Sequence, residues 1–341
     1  MSLSIQLAER GCLPDTWVRH GIRRLLRQRI REIGADPRGD ADWIRELGAG
    51  AVAEATDAAN EQHYELPPDY FATVLGPLLK YSSGFWEAGA GDLASAEADM
   101  LRLTCERAGI TDGQRVLDLG CGWGSVSLWI ARRFPGCRVT AVSNSRAQAR
   151  FIKSRASGAG LANLRAITAD INQFDPAEQF DRIVSVEMFE HVRNHRELLR
   201  RVRRWLAPGG RLFVHIFAHR RHAYLFENQS AKNWMTRHFF TGGIMPSEGL
   251  LPACAAGAFE AEAIWSVNGR NYSRTLEAWL RRHDANRAEV MRIFRGCYGS
   301  PFARLWFHRW RLFYLACSEL FAYNAGDEWR VAHYRFRPAD A

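Results

Sequence analysis

Arg115-Val-Leu-Asp-Leu-Gly-Cys-Gly-Trp-Gly124 is the stretch on which the fold turns. Val116 to Leu119 is a short apolar run broken only by Asp118, the pattern of a buried strand. Gly120, Gly122 and Gly124 then form a turn almost without side chains. Glycine tolerates positive φ and lets another group approach the backbone closely. From Ser125 onward Val126, Leu128, Trp129 and Ile130 recur at helical spacing. Strand, glycine turn and helix together make the first unit of a doubly wound α/β domain. N–H groups exposed at the start of such a helix favour electron-rich ligand groups. The G-x-G-x-G spacing, with Asp118 two residues ahead, departs from the G-x-G-x-x-G dinucleotide fingerprint.

Downstream, strands and helices alternate. Strands are expected at 138–142, 164–168, 180–186 and 211–217, with helices at 146–158 and 196–206. Ser143-Asn144-Ser145 reads as the cap of the first of these helices, and Pro208-Gly209-Gly210 as the end of the second. The alternation argues for a mostly parallel sheet, whose ligand crevice lies beyond the strand carboxyl ends. Residues 218–256 are aromatic and histidine-rich without a clean period. Strands are expected again at 259–267 and 329–336, with helices between 274 and 323. Upstream, residues 1–65 read as a helical extension. It comprises an arginine-rich amphipathic segment with Trp17, Ile22, Leu25, Leu26 and Ile30, a break at Gly34–Gly39, and a helix from Trp43 to Ala58. Tyr70–Leu79 reads as a short helix and Leu93–Ala108 as an amphipathic one.

The chain has 341 residues and a formal charge of +9. Lysine occurs only at Lys80, Lys153 and Lys232, so nearly all the positive charge is arginine. Such a surface can attract anionic partners, although net charge speaks to association and not to fold. No RNA-recognition module or ordered basic and aromatic stripe is present, so no nucleic-acid partner is expected. Seven cysteines without C-x-x-C spacing suggest a reduced, cytoplasmic protein. No stretch approaches the length of a membrane span. The basic amphipathic face of 17–31 suits packing on the main domain or on a second subunit, so a homodimer is left open.

The glycine turn resembles motif I of the class I S-adenosylmethionine-dependent methyltransferases. Further stretches widen the resemblance: Val139-Thr-Ala-Val-Ser-Asn-Ser145, Glu187-Met-Phe-Glu-His-Val192, Tyr272-Ser-Arg-Thr275, Glu277-Ala-Trp-Leu280 and Tyr323-Asn-Ala-Gly-Asp-Glu-Trp329. The chain is similar to the cyclopropane-fatty-acyl-phospholipid synthase-like methyltransferases, and within them to the coclaurine N-methyltransferase type. The resemblance implies a Rossmann-like fold with a mostly parallel seven-stranded sheet. It places a methyltransferase domain over 66–341, with cap insertions at about 218–256 and 274–323.

It also implies S-adenosylmethionine as the cofactor. Tyr81, Ser82, Asp118, Gly120, Gly122, Gly124, Asn144, Gln148, Asp170 and Ile171 are the expected cofactor-binding residues. Asn144 and Gln148 would face the ribose or adenine edge. The Asp170 carboxylate would accept from the adenine amino group, with Ile171 packed on the ring. On the acceptor side the expected substrate-binding residues are Ser83, His215, His219, Tyr272 and Tyr323. In lipid-modifying members a cysteine in place of Ser83 belongs to a bicarbonate site. Its other members correspond to Glu190, His215 and Tyr272.

Glu187, Glu190 and His191 are the expected catalytic residues. If the chain turns helical after Val186, Glu187 shares a face with Glu190 and His191. Carboxylates attract an ammonium, and an unperturbed histidine titrates near neutrality. No second ligand group has zinc spacing, so no metal is expected. The expected activity is methyl transfer to a small hydrophobic, amine-bearing acceptor. The alternative is methyl or methylene transfer to unsaturated phospholipid acyl chains, and only that reading calls for peripheral membrane contact.

Overall fold

The computed structural model describes residues 3–53, 66–87, 89–226 and 234–340. Three helices, α1 (Leu3–Glu9), α2 (Asp15–Gly34) and α3 (Asp40–Leu47), precede α4 (Pro68–Val74) and α5 (Leu93–Ala108). The alternating core follows as β1 (Arg115–Leu119), α6 (Ser125–Arg133), β2 (Arg138–Ser143), α7 (Arg146–Gly158), β3 (Leu164–Thr168), β4 (Phe180–Val186), α8 (His195–Trp205) and β5 (Leu206–His219). Next come β6 (Tyr224–Leu225), α9 (Trp234–His238), β7 (Ile244–Met245), α10 (Leu250–Ala255) and β8 (Phe259–Val267). Helices α11 (Arg270–Ala285), α12 (Arg287–Tyr298) and α13 (Ser300–Ala322) lead into β9 (Trp329–Pro338).

The main sheet has seven strands in the order β3-β2-β1-β4-β5-β9-β8. The five strands from β3 to β5 run parallel, and β9 pairs antiparallel with both β5 and β8. Strand order reverses between β1 and β4, so a crevice opens there at the strand carboxyl ends. Val116 to Leu119 is buried throughout, as a strand covered by helices on both faces requires. Ser145 caps α7 by accepting from the Gln148 N–H, as its position in the sequence suggests.

Four local expectations need correction. The helix expected from Trp43 to Ala58 stops at Leu47, where Gly48 closes it by donating to the Ile44 carbonyl; residues 54–58 lie outside the described residues. The helix expected over Tyr70–Leu79 ends at Val74. Pro77 disfavours a helical residue before it, and Gly76 and Leu78 donate instead to the Glu97 carboxylate at 3.0 and 2.9 Å. Strand β5 begins at Leu206, so Pro208-Gly209-Gly210 lies within extended chain; pairing with β4 is irregular there. The apolar residues of α2 do not share one fate: Leu26 is buried, whereas Trp17 and Leu25 are 72% and 61% exposed. Arginines fasten this helix to the rest of the chain. Arg19 donates to Glu277 at 2.7 Å and to Glu319 at 2.9 Å, and Arg23 donates to Glu319 at 2.5 Å. Among the described residues no helix is long and apolar enough to cross a membrane.

Candidate active site

The crevice beyond β1, β2, β3 and β4 is lined by Gly120, Gly122, Asn144, Gln148 and Ile171, together with Glu187, Met188 and His191. Thr241 and Gly242, from the segment between α9 and β7, complete its wall. Gly120, Gly122 and Gly124 take φ of +82°, +52° and +81°. At Gly120 a Cβ would stand 2.5 Å from Met188 Cγ, and at Gly124 it would stand 2.6 Å from Ile152 Cγ1. Gly122 meets nothing within 4 Å, so its backbone is open to a ligand. Gln148 turns its Oε1 to Ser143 Oγ at 2.6 Å and leaves a buried Nε2 without a partner. An unsatisfied amide donor beside an open glycine turn fits a ligand rich in hydroxyls and ring nitrogens, as S-adenosylmethionine is.

Other expected cofactor residues are engaged elsewhere. Asp118 is 1% exposed and accepts from Ser127 Oγ at 2.5 Å, so it ties β1 to α6 while its neighbour Leu119 lines the crevice. Burial pushes its carboxyl up to about 6. The Asp170 carboxylate accepts from the Asn172 backbone at 2.9 Å and from its side chain at 3.2 Å. It therefore closes a turn, with Ala169 and Ile171 on either side lining the crevice. The Tyr81 ring packs between Phe71 and Trp279, and Ser82 accepts from Lys80 Nζ.

Three elements converge on Glu187. Its Oε1 accepts from the Ser83 N–H at 3.2 Å and contacts His215 Nε2 at 3.2 Å; its Oε2 accepts from the Tyr272 hydroxyl at 2.6 Å. Ser83 comes from the segment before α5, His215 from β5 and Tyr272 from α11. Glu187 itself sits at φ +50°, which bends the chain out of β4 and swings the side chain toward these donors. Burial pushes its carboxyl up to about 6, against the lowering effects of Lys80 and the Tyr272 bond. His191 lines the same crevice and lies 4.8 Å from the Phe240 ring, centre to centre. Burial pushes its imidazole down to about 4, so it is neutral at pH 7 and a weaker base than an ordinary histidine.

Glu190 does not share this position. After Val186 the chain makes one 3₁₀ turn, Phe189–His191, with Glu187 outside it. The helical register that would align Glu187 with Glu190 therefore does not form. Glu190 is fully buried, accepts from the Phe217 N–H at 2.8 Å, and has a second oxygen without a partner. Burial raises its carboxyl well above the usual range. His219 lies 3.1 Å from Glu328 and accepts the His222 N–H at 2.9 Å, while the Tyr323 ring packs on Trp329. Both belong to the β5–β9 end of the sheet.

Sequence reasoning missed Lys80. It is fully buried, donates to Ser82 and is pushed below the usual lysine range by burial. The charge of Glu187 opposes that shift. Its signal was available: one of only three lysines in an arginine-rich chain, set between Leu78-Leu79 and Tyr81.

Residues 53–331 match the family described as mycolic acid cyclopropane synthetase. The chain belongs to this family. It is 36% identical over 293 residues to (S)-coclaurine N-methyltransferase of Thalictrum flavum subsp. glaucum, covering 84% of this chain and 80% of that one. It is 31% identical over 278 residues to cyclopropane-fatty-acyl-phospholipid synthase of Escherichia coli strain K12, covering 81% of this chain and 67% of that one. A crystal structure of coclaurine N-methyltransferase bound to N-methylheliamine and SAH superposes with a TM-score of 0.93 at 34% identity. It covers 97% of this chain and 98% of that one. Fold, crevice and family agree: the protein is a class I S-adenosylmethionine-dependent methyltransferase of the coclaurine N-methyltransferase type.

Proposed function

We propose that this enzyme methylates the nitrogen of a small hydrophobic amine. One observation carries the reading: the donors expected around a bicarbonate ion surround the chain's own carboxylate instead. Ser83, through its N–H, together with His215 and Tyr272, holds Glu187, while the expected fourth member, Glu190, faces Phe217. With these donors taken up by Glu187 they are not free to hold a separate bicarbonate, and the fixed carboxylate attracts a cationic acceptor. The likeness to coclaurine N-methyltransferase, solved bound to N-methylheliamine and SAH, supports the same reading.

When bound, S-adenosylmethionine supplies an electrophilic sulfonium methyl. Gly120, Gly122, Asn144, Gln148 and Ile171 are the residues placed to hold it. The acceptor arrives as an ammonium and is drawn by Glu187. Desolvation in the crevice lowers the ammonium pKa, and the Glu187 carboxylate takes its proton, which frees the nitrogen lone pair. Three donors on Glu187 fix where that proton goes. The neutral His191 and the Phe240 ring shape the wall against which the acceptor lies, and an aromatic face favours a cation beside it.

The test is transfer from methyl-labelled S-adenosylmethionine to two parallel panels: secondary and tertiary aryl-alkyl amines, and unsaturated phospholipid vesicles. Each panel is run with and without bicarbonate. Label in the amines, indifferent to bicarbonate, is the expected result. Label in the lipid fraction, dependent on bicarbonate, would overturn it in favour of the phospholipid acceptor.

A further inference from the structure

Behind Glu187, three side chains form a continuous hydrogen-bonded line away from the crevice. His215 Nε2 lies 3.2 Å from Glu187 Oε1. His215 Nδ1 lies 2.9 Å from His333 Nε2, and His333 Nδ1 lies 2.7 Å from Arg107 Nη1. The two histidines are register partners across β5 and β9 and are fully buried. Arg107 comes from the last turn of α5, half-buried, with its guanidinium 4.8 Å from the centre of the Trp265 ring on β8.

The chemistry of the far end sets the direction of every bond in the line. A guanidinium has donors only and keeps its proton in proteins. His333 Nδ1 must therefore accept, so the proton of a neutral His333 is on Nε2. That N–H donates to His215 Nδ1, which places the His215 proton on Nε2, where it donates to Glu187. Both imidazoles are held well below the ordinary histidine range, first by burial; Lys80 and Arg107 lower His215 further, and His215, Arg107 and Lys80 lower His333 further, all of which favours the neutral forms. Lys80 faces the line from the Glu187 side; Arg107, with Glu106 and Glu87 near it, faces it from the other.

We propose that Arg107 and His333 are positioning residues for the active-site carboxylate: they fix the His215 tautomer so that His215 always donates to Glu187. The line runs one way. It delivers a hydrogen bond to Glu187 and cannot carry a proton outward, because His215 Nε2 is already protonated and Arg107 blocks the exit. The proton taken from an acceptor must therefore leave Glu187 through the crevice. The kinetic half of this inference rests on the amine reading; the spectroscopic half does not.

The experiment is ¹⁵N-histidine NMR of the full chain without acceptor, with the His215→Gln and His333→Gln spectra used for assignment. At pH 7 both rings are expected as neutral Nε2–H tautomers. Arg107→Leu and His333→Leu should release His215 to a tautomer mixture. Arg107→Lys, which still donates, should keep its tautomer fixed, as should His333→Gln, which can accept from Arg107 and donate to His215. In the same variants, with an amine acceptor, the acid limb of kcat/KM should move up by about one pH unit in the leucine forms, a tenfold change in proton affinity. It should return in Arg107→Lys and His333→Gln. An Nδ1–H tautomer at either ring, or a His215 signal unmoved by Arg107→Leu, overturns the proposal. So does an acid limb that ignores all four variants, since a merely structural role would change stability and leave the limb in place.

Discussion

Glu187 holds φ +50°, a region that disfavours side chains, and a non-glycine residue there costs on the order of 1 kcal/mol or more. The strain sets the carboxylate under three donors, which is the geometry the proposed chemistry uses. Because burial raises its pKa to about 6, the ionised form is lost as pH falls through that value. We expect kcat/KM for an amine to drop tenfold per unit below about pH 6, a slope set by one group. His191, already neutral, titrates too low to produce this limb; a rate flat to pH 5 would contradict the assignment. At Gly120, alanine would meet Met188 at 2.5 Å while held at φ +82°. Gly120→Ala should lose about 1–3 kcal/mol of stability by urea denaturation and weaken S-adenosylmethionine binding by calorimetry. Unchanged affinity would remove the glycine turn from the cofactor site. At this scale the sequence discloses residue types but not where they point. Glu187 and His191 were legible beside a strand end. Glu190, three residues on, was assigned to the same face because a 3₁₀ turn cannot be told from a helix start by pattern. Lys80 stands out as a rare lysine, but nothing in the local pattern shows that the fold buries it within reach of the Glu187 charge.

Strands and helices with strong periodicity and caps were the most legible elements. β3, β4 and β8 and helices α5 and α7 fall where alternation, Ser145 and Gly109 place them. Where long-range partners decide, the reading fails: α4 stops short because Glu97, more than twenty residues away, takes the N–H groups of Gly76 and Leu78. Helix α2 packs on the main domain, one of the two uses its basic amphipathic face suggests, and what its pattern does not disclose is the partners: Arg19 and Arg23 serve carboxylates of α11 and α13. Arg19→Ala would leave Glu277 and the nearly buried Glu319 short of a partner. It should cost about 1–2 kcal/mol, discounted for the partial exposure of Arg19, by urea denaturation. A change below about 0.3 kcal/mol would mean that α2 is held by its apolar contacts alone.

Across the molecule, burial has left many titratable groups away from their usual ranges. His191, His195, His215, His219, His238, His283, His308 and His333 are all lowered. A histidine with a depressed folded pKa binds fewer protons folded than unfolded below about pH 6.5, so its contribution to stability is lost on acidification. Glu97, Asp118, Glu187 and Glu190 are raised and act in the opposite sense over the same window. The histidines are the more numerous, so we expect the melting temperature to fall as pH drops from 6.5 to 5; a rise would show that the carboxyls dominate.

The central claim joins the family, the crevice and one carboxylate: this methyltransferase acts on an amine that Glu187 binds and deprotonates. The most direct measurement is kcat/KM for a labelled secondary amine in the wild type and in Glu187→Gln, with S-adenosylmethionine affinity measured alongside. A loss of roughly 10²–10⁴-fold, the range for a positioned base, with cofactor affinity retained, is the predicted result. Activity within threefold of wild type would contradict the account.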